Sequence, residues 1–134
     1  MAKIVDIEGI GPAYAAKLQA AGIATTEALL KAGATPKSRK ELAEKSGISG
    51  DLILEWVNHS DLYRIKGVGS EYSDLLEEAG VDTVVELAHR NAQNLLEKMT
   101  EANAQKNLVR RLPTQGMVAK WIEQAKALPR AVEY

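Results

Sequence analysis

The chain of 134 residues contains no cysteine and no phenylalanine, and its aromatic side chains amount to four tyrosines and two tryptophans. Without cysteine there are no disulfides and no thiolate chemistry. With so few aromatics, core volume must come from Leu, Ile, Val and Ala, which favours helices over sheets. No apolar run approaches the length of a membrane span, so no membrane association is expected. The opening "MAKIVDIEGIG" carries one lysine and enters the first motif at once, so no signal peptide is expected and the cytoplasm is the default location. A surplus of positive charge is also missing. Seventeen basic and eighteen acidic side chains give a net charge of -1, which argues against a strongly basic nucleic-acid binder.

What is present is an ordinary globular mix, 46% hydrophobic and 26% charged, of a size that suits one compact domain or two small ones. The charge is unevenly spread. Residues 67–104 hold eight acidic and two basic side chains, whereas residues 105–134 hold six basic and two acidic. Such a split predicts two faces of opposite sign, with a solvated helix face as the plainer account.

The chain repeats itself. "IEGIGPAYAAKLQAAGI" (7–23) and "IKGVGSEYSDLLEEAGV" (65–81) match at an offset of 58, and over 7–25 eight of nineteen positions are identical. "LILEWVNHSDL" (52–62) and "MVAKWIEQAKA" (117–127) match at an offset of 65, anchored by Trp56 and Trp121. The changed offset implies an insertion in the second copy, placed near 103–113. Two related helical units follow, 1–62 and 63–130, with a tail at 131–134.

Helix punctuation supports this division. Pro12 suits the first turn of a helix that Gly22 ends, and Thr25 can cap the next. Thr35 and Pro36 open a helix that Gly47 stops; Ser49 caps the helix bearing Trp56, and Thr114 caps the one bearing Trp121. Thr83 with Glu86 reads as a capping box. No stretch alternates long enough for a strand. Trp56 and Trp121 are expected as core anchors, and Tyr14 and Tyr72 as packing residues that could otherwise stack on an exposed base. The expected fold is all-α.

Each copy of Gly-aliphatic-Gly stands before a helix. Glycine lets the backbone come close to a ligand, and a helix start offers unpaired N–H groups at the positive end of its dipole. Together they form an anion site that needs no charged side chain. The aliphatic residue, Ile10 or Val68, plugs into the core and fixes the turn.

On these residues the chain resembles the helix-hairpin-helix superfamily. Its apolar–x–Gly–apolar–Gly–x–x–x–Ala–x–x–Leu pattern is followed by residues 7–18, with Ala15 at the small position where helices cross. The whole chain looks like small bacterial proteins of unassigned function built from two such units, with a SAM-like, recombinase-N-terminal-like topology packed as one body. The resemblance implies binding of nucleic-acid phosphates without sequence preference. Relatives that bind DNA commonly carry Lys or Arg just after the second glycine; here stand Pro12, Ala13 and Tyr14, and Ser70, Glu71 and Tyr72. Glu71, Asp74, Glu77 and Glu78 would repel a phosphate at the second helix. Gly67, Val68 and Gly69 are therefore expected to be structural or to meet a protein.

The expected function is a non-catalytic module that holds a DNA or RNA backbone through Gly9, Ile10, Gly11 and Ala13, supported by Lys3, Lys17, Lys37, Arg39 and Lys40. The alternative is a protein-interaction adaptor in which the acidic second-unit helix and the basic C-terminal segment meet partners or each other in a homodimer. A domain serving an enzyme complex in trans is a third class. "RKELAEKSGISGDLILEWV" fits a helix-turn-helix frame, but its second helix would offer Asp51 and Glu55 to the bases. His59 and His89 lack ligand-spaced neighbours and read as surface or capping residues, so no metal is expected. No nucleophile elbow, calcium loop or Walker loop is found, so neither cofactor nor catalysis is expected.

Overall fold

The computed structural model describes residues 3–7 and 9–134, and among these the secondary structure is helical. A 3-10 turn, Ile4–Asp6, precedes α1 (Pro12–Ala20), α2 (Thr26–Ala32), α3 (Pro36–Ser46) and α4 (Gly50–Leu62). Then come α5 (Ser70–Glu78), α6 (Val84–Ala88), α7 (Ala92–Lys106) and α8 (Gln115–Ala127). The all-α expectation holds, with one isolated antiparallel bridge between Lys3 and Thr25 among the described residues.

Side-chain caps start the helices as their chemistry predicts. Thr25, Thr35, Ser49, Thr83 and Thr114 each accept a backbone N–H from the first turn they precede. Pro12 and Pro36 open α1 and α3, and Gly47 closes α3 in the left-handed conformation. One detail differs. Glu86 reaches back to the N–H of Asp82 at 3.1 Å, one residue ahead of the Thr83 cap. The reciprocal box forms instead between Thr35 and Ser38.

Two hydrophobic cores result. One gathers Ile4, Ile7, Ile10, Leu18, Leu29, Ile53 and Trp56; the other gathers Leu62, Ile65, Val68, Leu75, Leu87, Leu95 and Trp121. In the first half α2 and α3 pack on α4; in the second, α6 and α7 pack on α8, and α4 meets α5 across the middle. Buried Asp61 ties this junction, taking the N–H of Val84 at 2.8 Å and the Nε of Arg64 at 2.8 Å. The inserted stretch forms the end of α7 and the loop after it, where the Asn103 side chain clamps both N–H and C=O of Val109.

Residues 131–134, expected as a tail, belong to the first core. Val132 is buried there, the Glu133 N–H donates to Ala34 O at 2.7 Å, and the Tyr134 hydroxyl donates to Asn58 Oδ1 at 2.9 Å.

Candidate nucleic-acid hairpins and a buried histidine

The two hairpins have one backbone design. The N–H of Ile10 donates to Ile7 O, and that of Val68 to Ile65 O, both at 3.1 Å. All four of these apolar side chains are buried. The first glycine of each hairpin is left-handed, Gly9 at φ +93 and Gly67 at φ +95. A Cβ there would stand 3.6 Å from Trp56 Nε1 in one case and 3.1 Å from Trp121 Nε1 in the other. Each indole meets the tyrosine of the following helix, Tyr14–Trp56 at 5.1 Å and Tyr72–Trp121 at 5.2 Å between centroids. The expected core role of both tryptophans and the packing role of both tyrosines are met.

The second glycine has a different reason. Gly11 (φ -86) and Gly69 (φ -105) adopt conformations open to any residue, and nothing lies within 4 Å of a Cβ at either. Both are N-caps without a side-chain acceptor, so the first-turn amides behind them keep no capping partner.

Around this shared turn the halves diverge. Gly9, Gly11, Pro12 and Ala13 are exposed while Ile10 is the buried plug. Lys17 lies on α1 with its Nζ 5.8 Å from the Tyr14 ring centre. Lys3 is exposed, as are Lys37 and Lys40 on α3, which packs against α1. Arg39 corrects the expectation. It is buried, donating from Nη1 to Gly33 O at 2.8 Å and from Nη2 to Glu133 O at 2.7 Å, so its guanidinium ties the returning chain end and not a ligand.

The second hairpin is more enclosed. Gln124 holds its backbone, accepting the Lys66 N–H at 2.9 Å and donating to Lys66 O at 3.3 Å. Val68, Gly69 and Ser70 line a cleft of about 470 Å³ together with Asp6, Glu27 and Arg64. The Tyr72 hydroxyl donates to Arg111 O at 3.0 Å in the inserted loop. Three carboxylates of α5 find partners within the chain: Glu78 with Lys106 at 2.9 Å, Glu71 with Arg110 at 3.5 Å, and Glu77 with His59.

His59 is the residue that sequence reasoning placed wrongly. It is 2% exposed, neither a surface nor a capping group, and sits between α4 and α5. Its Nδ1 is 3.1 Å from Ser73 Oγ and its Nε2 is 2.5 Å from Glu77 Oε2. Glu55, one turn earlier on α4, completes a triad whose ligand atoms all lie within 4.8 Å of one another. Burial alone would lower the imidazole pKa; the Glu77 carboxylate, with Asp74 and Glu55 behind it, outweighs burial and holds it above the ordinary histidine value. Burial and then Glu77 push Glu55 above the usual carboxylate range. The signals that were present are the four-residue spacing of Glu55 and His59 and the exchange of Ala15 for Ser73 in the repeat. His89, by contrast, is exposed at the end of α6, as expected.

A family model, a domain of unknown function (DUF4332), matches residues 8–128, and the chain belongs to that family. No curated protein and no solved structure matches it.

Proposed function

We propose that this member of the DUF4332 family is a non-catalytic module that grips nucleic-acid phosphates, without sequence preference, through the first of two helix-hairpin-helix units. The observation that carries this reading is Gly11. Its backbone angles suit any side chain and its surroundings leave room for one, as they do at Gly69, so folding does not account for glycine at either place. Close approach of an anion to the amides at the start of α1 does account for Gly11. Exposed Lys3, Lys17, Lys37 and Lys40 supply the surrounding positive charge, with Arg39 withdrawn from the set. What separates the second hairpin is charge: it opens on Asp6 and Glu27 and is followed by Glu71, carboxylates that oppose an anion.

The adaptor alternative relied on an acidic helix and a basic segment left over for partners. Lys106 and Arg110 face Glu78 and Glu71 of the same chain in exposed pairs, which lowers the charge that either side offers to a partner.

The test is retardation of mixed-sequence single- and double-stranded DNA by the full chain across a salt series. Affinity should fall steeply with salt, and each lysine removed from the set should lower the slope by about one. Ala13→Glu places a carboxylate at the helix start, so it should strengthen α1 while abolishing binding. No retardation at low salt sinks the reading, as does full binding by the Ala13→Glu protein.

A further inference from the structure

The contact between His59 and Glu77 poses a problem of protons. Ser73 Oγ lies 3.1 Å from the Ser70 carbonyl oxygen, one turn back on α5. It also lies 3.1 Å from His59 Nδ1, so the hydroxyl can accept from a protonated Nδ1 or donate to a bare one. On the other side of the ring Nε2 faces a carboxylate oxygen of Glu77, where the histidine side chain is 3% exposed. A proton on Nε2 satisfies that contact, and a metal ion taking the proton's place would satisfy it as well.

The surroundings favour an ion that draws on more than this pair. Glu55 brings a third oxygen from the same face of α4. A groove of about 350 Å³ runs past the triad, lined by Asp51, Asn58, Glu55, Glu77 and Asp82, which offers a path for a cation and a place for water. Ser73 orients the imidazole from behind, as the outer partner of a metal-bound histidine does.

We propose that His59 Nε2, Glu55 and Glu77 form a site for a divalent first-row transition ion of the zinc class, which joins α4 of the first half to α5 of the second. One nitrogen and two oxygens make a three-ligand set with a fourth position open to water on the groove side. The imidazole selects against magnesium and calcium, which take oxygen ligands. Zinc–ligand bonds of about 2.0–2.2 Å place ligands on one ion roughly 3–4 Å apart. Binding therefore requires Glu77 to shift outward by about an ångström and Glu55 to move in; the Glu55 side chain is exposed and that of Glu77 is partly so.

The test titrates zinc into the full chain, freed of metal by chelator, at neutral pH, followed by calorimetry and by thermal unfolding. One equivalent should bind and raise Tm; cobalt should bind likewise and give the visible bands of a four- or five-coordinate ion. Glu55→Gln and Glu77→Gln should each weaken zinc about tenfold or more, whereas Glu78→Gln on the same helix should not change it. Because neither glutamine variant removes His59, both keep the buried packing and should fold. Absence of saturable zinc binding overturns the site and leaves His59–Glu77 as a protonated pair. Equal affinity in the Glu55→Gln and Glu77→Gln proteins, or equal binding of magnesium, also overturns it.

Discussion

The hairpin at Gly9–Gly11 and the hairpin at Gly67–Gly69 share a turn and differ in what encloses it. Each has a left-handed glycine under a tryptophan, a buried aliphatic plug and a tyrosine against the indole. In the first, the helix start is exposed, as is Lys17 farther along the same helix. In the second, Gln124 clamps the backbone, the inserted loop holds Tyr72, and Asp6 and Glu27 share the cleft. The duplicated parts are those that hold the turn. The parts that diverged are those a ligand would meet, which is where one copy of a repeat can change use without loss of fold.

Three measurements break or sharpen that comparison. The largest effect should come from the indoles. Trp56→Ala and Trp121→Ala should each cost about 3–5 kcal/mol in urea unfolding, because both rings are buried in equivalent cores. A loss confined to one would show that only one hairpin depends on its tryptophan. Valine at the first glycines should come next, at roughly 1–3 kcal/mol for the left-handed strain. Gly67→Val should exceed Gly9→Val, since its Cβ would stand 3.1 Å from an indole nitrogen against 3.6 Å. Gly11→Val and Gly69→Val should stay within about 0.5 kcal/mol.

The smallest effect is a pH dependence at Tyr63, which lies between the first hairpin and the start of α5. The Tyr63 hydroxyl donates to Asp6 O at 3.0 Å, just ahead of that hairpin. Burial pushes its pKa from 10.0 up to about 12. A raised pKa means that the folded chain keeps the proton longer than the unfolded one does. The stabilisation is therefore complete below pH 10 and disappears as the pH climbs through about 12. Urea midpoints should fall more steeply across that window in the native chain than in Tyr63→Phe; parallel curves would refute the assignment.

Much of the scaffold was legible because its signals are local. Thr25, Thr35, Ser49 and Thr114 cap helices through their own first turns, and the repeat itself marked both tryptophans as equivalent. What escaped is long-range. "PKSRK" reads as a solvated basic run, yet Arg39 alone of it turns inward to a carbonyl 94 residues away. The triad takes Glu55 and His59 from one half and Glu77 from the other, and no spacing rule connects α4 to α5. Thr83 and Glu86 do not close the expected box because the Glu86 carboxylate takes the N–H of Asp82, one residue before the cap.

Val132 gives the chain a history as well as a shape. It completes the core of the first half, yet every residue of the second half lies between it and that core in sequence. On a ribosome the early half therefore emerges with a vacancy in its interior that stays open until the late half has passed. Its final consolidation waits for Val132 to return, so the half that is made first is finished only after the other has been made.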